Sequence, residues 1–131
     1  MKIWLWLTLT FGGLLMASTP YAHHSFSATY HEDQVIEIEG ELIQFLFRNP
    51  HSFVHVVAPD ESGTTRRWTI EWGSAAQIGG QGVTREALRP GDHVVINGNP
   101  GRNETDYRIR MRTLFRPADG FRWGFDNENF D

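Results

Sequence analysis

At 131 residues the chain has room for one domain and no more. It contains no cysteine, which excludes disulfide staples, thiolate metal sites and a lipid-attachment cysteine. With 16 Asp+Glu against 12 Lys+Arg and a net charge of −4, nucleic acid is a poor fit as a general partner.

The first 22 residues have the order of a secretory signal peptide. Lys2 is a short positive start, Ile3 to Met16 is an apolar run, and Ala17-Ser18-Thr19-Pro20-Tyr21-Ala22 turns small and polar. The run is shorter than the roughly 20 residues of a comfortable membrane span, so no span is expected after cleavage. Cutting after Ala22 leaves His23 to Asp131. Pro20 is unusual three positions before a cut, which keeps cleavage near Ala17 and an uncleaved anchor as alternatives. The reading predicts a periplasmic protein. Lys2 is the only lysine, so the exported chain carries 11 Arg against 16 acidic residues, a charge of −5. No twin-arginine pair precedes the apolar run, so export unfolded is expected.

Residues 23–33 read as an N-terminal arm with Phe26 and Tyr30 as anchors. The domain proper is expected over 34–117. Gln34 to Phe47 forms a first long strand whose inward phase shifts from Ile36 and Ile38 to Ile43, Phe45 and Phe47. A one-residue slip flips every side chain, which demands a bulge, placed near Gly40. Asn49-Pro50 stops that strand. Ser52 to Ala58 is the second, Pro59-Asp60-Glu61-Ser62-Gly63 the turn, and Arg66 to Gly73 the third. A helical insert follows, split by glycines into Ser74–Ile78 and Thr84–Leu88, the second capped by Thr84 and ended by Arg89-Pro90-Gly91. His93 to Asn97 is the fourth strand. Asp106 to Phe115 is the fifth, with Tyr107, Ile109 and Met111 inward and Arg108, Arg110 and Arg112 outward. Residues 118–131 read as a loosely packed tail.

Three strands, a short helical insert and two more strands is the element order of a five-stranded OB-like barrel. The predicted fold is therefore all-β, with a small open sandwich as the alternative.

The hairpin of strands two and three carries the candidate chemistry. With the turn centred near Ser62, His51 faces Gly73, Phe53 faces Glu71 and His55 faces Thr69. Val54, Val56, Trp68, Ile70 and Trp72 then fill the core face. The other face gathers His51, Phe53, His55, Thr69 and Glu71. Two imidazoles and a carboxylate suit copper, zinc, nickel or iron. Ordinary polar residues on the wet side of an antiparallel sheet are the plainer account. If export exposes His23, its α-amino group (pKa about 7.7–8.0) and its ring offer two nitrogens to one ion, and His24 adds a third. This is the ligand type of a copper histidine brace, with His51 as the candidate completing imidazole. A disordered polar start is the alternative.

Nucleophilic catalysis has little support. Ser25, Ser52 and Ser74 lack a Gly-x-Ser-x-Gly elbow, and Gly79-Gly80-x-Gly82 lacks a P-loop context. Glu37 and Glu39 are expected to pair with the arginine row of the fifth strand. Oligonucleotide binding also needs exposed stacking rings, and Phe53 alone is placed outside.

His23-His24-Ser25-Phe26, Asn49-Pro50-His51-Ser52, Trp68-x-x-Glu71 and Thr84-Arg85-x-x-Leu88-x-Pro90-Gly91-Asp92 together resemble an uncharacterised family of small exported bacterial proteins, a domain of unknown function. The resemblance spans nearly the whole exported chain. It implies export, a single β-rich domain, and attention to His23, His24, His51 and Glu71. His55 lies outside the shared pattern. The leading expectation is a copper-binding module with His23, His24, His51 and Glu71 as the metal set. The alternative is a non-catalytic module for a small ligand or protein partner. An enzyme is disfavoured because no residue specifies a substrate.

Overall fold

The computed structural model describes residues 26–125. The expected signal peptide, His23, His24, Ser25 and residues 126–131 lie outside the described residues.

A four-residue helix, α1 (Phe26–Thr29), precedes five strands of a closed barrel. These are β1 (Ile36–Leu46), β2 (Phe53–Pro59), β3 (Thr65–Glu71), β4 (His93–Pro100) and β5 (Arg108–Arg116). The only helix between β3 and β4 among the described residues is α2 (Ala75–Gly80), and β6 (Phe121–Trp123) follows β5. The sheet order is β3-β2-β1-β4-β5-β6, and a parallel β3–β5 pairing closes the barrel. This is the expected OB-like topology.

β1 serves both halves of the barrel. Its first half, Ile36 to Glu41, pairs with β4, and its second half, Glu41 to Leu46, pairs with β2. The expected bulge exists, but the register shifts between Leu42 and Gln44 rather than at Gly40. Gly40 meets a different constraint. A Cβ there would lie 2.1 Å from the Val57 carbonyl oxygen, so the position needs close backbone approach. Gly98 does the same on β4, where a Cβ would lie 2.2 Å from the Arg110 carbonyl oxygen.

The β2–β3 hairpin has the expected register, with Phe53 opposite Glu71 and His55 opposite Thr69. Asp60 organises its turn by accepting from the Ser62 hydroxyl and from the Ser62 and Thr64 amides, and by pairing with Arg66. Those bonds, the Ser62 hydroxyl and Arg66 foremost, hold its carboxyl down at about 2. Val54, Val56, Ala58, Trp68, Ile70 and Trp72 point inward and are buried. They meet Ile38 and Leu42 of β1, Val94 and Ile96 of β4, and Ile109, Met111 and Leu114 of β5 in one core. Ser74 caps α2 by accepting from the Gln77 amide at 3.0 Å, and the helix delivers Ile78 into that core.

Four sequence expectations change. The second helical piece, 84–88, is only a turn, closed by the Ala87 amide on the Thr84 carbonyl. Five residues before a proline cannot offset the cost of nucleating a helix. β4 continues through Pro100 because a register shift between Asn97 and Gly98 keeps it paired with β5. β5 starts at Arg108, since 104–106 form a 3₁₀ turn capped by Asn103. Within the expected tail, Phe121–Trp123 form β6, antiparallel to β5. Arg116 braces that reversal by binding both Asp92 and Asp119, and the Trp123 ring packs edge-on against Trp72 at 5.0 Å.

The arginine row also pairs differently from expectation. Glu39 binds His93 at 2.7 Å, Arg110 reaches Glu32, Arg108 reaches Glu71, and Arg112 donates to Asn99. The reason is topological. β4 lies between β1 and β5, so Glu37 and Glu39 are a full strand away from the arginines.

Gly98→Ala is expected to destabilise the protein by about 1–3 kcal/mol through overpacking at the β4–β5 crossing. Gly80→Ala, where a Cβ meets nothing within 4 Å, is expected to be neutral or to stabilise by up to about 1 kcal/mol. Urea denaturation of the two variants beside the wild type checks both.

Candidate functional site

The outer face of the barrel seam is set by two ladders. Across β2–β3, Phe53 lies beside Glu71 and His55 beside Thr69. Across β3–β5, Glu71 lies beside Arg110 and Thr69 beside Arg108. Strand alternation puts all of these side chains outside. Just before β2, the Ser52 amide binds the Gly73 carbonyl and the Trp72 amide binds the Ser52 carbonyl, extending the ladder to the edge of the loop that holds His51. That loop contains a cis Asn49–Pro50 bond and is tied to α2, through the Ala75 amide on the Arg48 carbonyl and the Ala76 amide on the Asn49 side chain.

The N-terminal arm completes the site. It is pinned to the β4–β5 connection by His31 on Pro100, by Arg102 on Thr29 and by a Tyr30–Gly101 bridge. The Asn99 side chain adds bonds to the Glu32 and Gln34 carbonyls. Phe26 and Tyr30 sit one helical turn apart, so both rings face the barrel. Tyr30 is 1% exposed.

Glu71 is the centre of the cluster. Its side chain is 12% exposed and meets one hydrogen bond and two ion-pair contacts. The Tyr30 hydroxyl donates to Oε2 at 2.5 Å, Arg108 Nη2 lies 3.5 Å from the same oxygen, and His51 Nδ1 lies 3.1 Å from Oε1. Burial first, and the Glu71 carboxylate second, push the Tyr30 hydroxyl far above the ordinary tyrosine range. The rings of Phe26 and His51 meet edge-on with centroids 6.3 Å apart, and the Arg110 guanidinium sits over the Phe26 ring, 3.5 Å from its centroid.

With Nδ1 of His51 facing Glu71 at 3.1 Å, Nε2 is the ring nitrogen left for other partners, the one a metal would take. His51 is 42% exposed, open enough to receive one. Of the sequence-derived set, His51 and Glu71 come together, while His23 and His24 lie outside the described residues. Among the described residues no group of three or more His, Cys, Asp or Glu is gathered around one point. His55 lies beside Thr69, whose hydroxyl is 3.3 Å from Nδ1. Burial, with the Arg67 and Arg48 cations, lowers its pKa and keeps it neutral at pH 7.

Tyr30 and Arg108 were missed as site residues. The i, i+4 spacing of Phe26 and Tyr30 in an otherwise polar arm is the one local signal for the first. Nothing local marks the second, because Arg108 meets Glu71 only through barrel closure.

A small OB-type barrel with a histidine–carboxylate pair at its rim is the class that fold and site define. The profile of a family of unknown function, DUF6152, matches residues 13–109, and the chain belongs to that family. No curated protein sequence matches it. Among solved structures it is similar to the mitochondrial single-stranded DNA binding protein Rim1 from S. cerevisiae, at 15% identity and a TM-score of 0.47. That match covers 64% of this chain and 93% of the other.

In an alkaline absorbance titration the protein should retain a tyrosine that resists ionisation, and Tyr30→Phe should remove it. Because the folded hydroxyl keeps its proton above the unfolded value of about 10, its contribution to stability is intact below that pH and declines above it. Denaturation measured across the alkaline range should fall less steeply for Tyr30→Phe than for the wild type.

Proposed function

We propose that this protein is exported to the periplasm and there binds a transition metal, Cu(II) foremost. His51 Nε2, the His23 amine and ring, and His24 supply the nitrogens, and Glu71 orients His51. The observation that carries this reading is the contact between Phe26 and His51, with ring centroids 6.3 Å apart. His24 is two residues from Phe26 and His23 three, a tether of roughly 10 Å when extended. An N-terminus created by cleavage after Ala22 therefore starts within reach of the His51 ring. The 3.1 Å approach of Glu71 to Nδ1 supports the same reading, since metal-binding imidazoles turn their second nitrogen to a carboxylate or carbonyl. Nitrogen donors without thiolate or thioether favour Cu(II) over Cu(I).

Intact mass and metal content of the exported protein test cleavage and loading together, with His23 expected as the first residue. Titration with Cu(II) should give micromolar or tighter binding. His51→Ala should weaken it at least tenfold, and Glu71→Gln by about 10–100-fold through loss of ring orientation. An affinity untouched by His51→Ala, yet abolished by removing His23 and His24, would reduce the site to an adventitious peptide chelate.

A further inference from the structure

The same outer face holds a second feature, one that owes nothing to the metal. Beyond Glu71 the surface opens into a depression of about 510 Å³ between the 47–52 loop and the β3–β5 seam. Its floor is Phe53, His55 and Thr69, with Leu46 at the loop side. Arg48 and Arg108 flank it, and Asp106 is the one carboxylate on its rim. Asp106 accepts from the Asn103 side chain at 3.0 Å, so part of its acceptor capacity is already used.

The two arginines are poorly neutralised. Arg48 is exposed and has no ion pair among the described residues; its guanidinium rests over the Phe53 ring at 5.2 Å. Among the described residues Arg108 has one ion pair, to Glu71 at 3.5 Å, and its buried Nε meets no acceptor. Arg67 adds a third cation on the outward side of β3, two residues from Thr69. The local field is positive enough that Arg67 and Arg48 both help to depress the His55 pKa. On a protein of net charge −4 this is a concentrated exception.

We propose that the depression binds a small organic anion, a carboxylate carried on an apolar or aromatic body. Arg48 and Arg108 take the carboxylate, the planar fork of a guanidinium being matched to its two oxygens. Phe53 and Leu46 take the body, and neutral His55 with Thr69 supplies the remaining hydrogen-bonding groups. The Phe53 ring and the Leu46 side chain are what favour an organic anion over a bare inorganic one. A larger groove of about 880 Å³ lies at the far end of β1, lined by Glu37, Glu61 and Glu104. Its carboxylates, Asp60 among them, outnumber its one arginine, Arg108, which lines both depressions, so the balance there is against anions. That groove, which also holds Trp68 and Tyr107, serves as an internal control for location.

The test is nuclear magnetic resonance titration of the metal-free protein with benzoate, inorganic phosphate and benzylamine. Benzoate is expected to bind in the millimolar range or tighter and to shift resonances of Phe53, His55 and Thr69, leaving Trp68 and Tyr107 unmoved. Benzylamine should not bind there, and phosphate should bind at least several-fold more weakly. Arg48→Gln is exposed, keeps the fold and should weaken benzoate about tenfold; Phe53→Leu should weaken benzoate while leaving phosphate unchanged. No benzoate shift, equal binding of phosphate and benzoate, or indifference to Arg48→Gln would each overturn the proposal. Because metal-free protein is used, the outcome is independent of Cu(II) binding.

Discussion

Three residues of parallel ladder, Thr69 to Glu71 on β3 against Arg108 to Arg110 on β5, convert an open sheet into a barrel. The contacts of Glu71 with Arg108 and with Tyr30 are downstream of that seam. It brings the outward row of β3 beside the outward row of β5, which are 39 residues apart in sequence at the Thr69–Arg108 pair. It also draws the β4–β5 connection over the end of the hairpin, and the N-terminal arm docks on that connection through Gly101 and Arg102. Without closure, Glu71 would face solvent, and Tyr30 would have neither a partner nor a place to be buried. The Thr69 amide on the Tyr107 carbonyl begins the ladder, with Tyr107 itself in the left-handed conformation at φ 45°.

A largely buried carboxylate is tolerated only if its charge is met, because desolvation costs several kcal/mol per ion. Glu71 meets it with one neutral donor, one cation and one imidazole, drawn from the arm, β5 and the 47–52 loop. The Tyr30 hydroxyl is the hydrogen bond among them, and a bond of that kind to a charged group contributes about 1.5–3 kcal/mol. Together the three contacts tie three segments of the chain to one side chain. This explains why a polar arm with a helix of only four residues holds its position: its anchor is Tyr30 and its backbone bonds to the β4–β5 connection. Intrinsic helicity contributes little at that length.

The barrel and its hairpin register are legible from residues alone, for a specific reason. Val54 and Val56 alternate against Trp68, Ile70 and Trp72, and the Asp60–Gly63 turn leaves little freedom in how the two strands meet. Parity then assigns His51, Phe53, His55 and Glu71 to the outer face whatever the small shifts in register. The phase change within β1 is equally visible, yet its location is not. Gly40 attracts the bulge on flexibility grounds, whereas the glycine is there because backbone crosses at Val57, and the extra residue falls between Leu42 and Gln44. The Glu71 cluster was half legible. His51 and Glu71 follow from the hairpin, but Arg108 follows from a parallel pairing that no local pattern announces. β6 was invisible for a simpler reason, since three residues are too few to display a period.

The number of acceptor sites on Glu71 decides what it can do for a metal. An ionised carboxylate offers about four lone-pair positions. The Tyr30 hydroxyl and Arg108 converge on Oε2, and His51 takes one position on Oε1. Direct ligation would have to displace one of these donors or crowd the single remaining site. Orientation asks for nothing new, because Nδ1 of His51 already faces Oε1 at 3.1 Å. A carboxylate so occupied is suited to holding the ring in place rather than to ligating an ion itself. Arg108 belongs to both halves of the face, since it pairs with Glu71 and also lines the depression beside Arg48, so the two halves share one guanidinium.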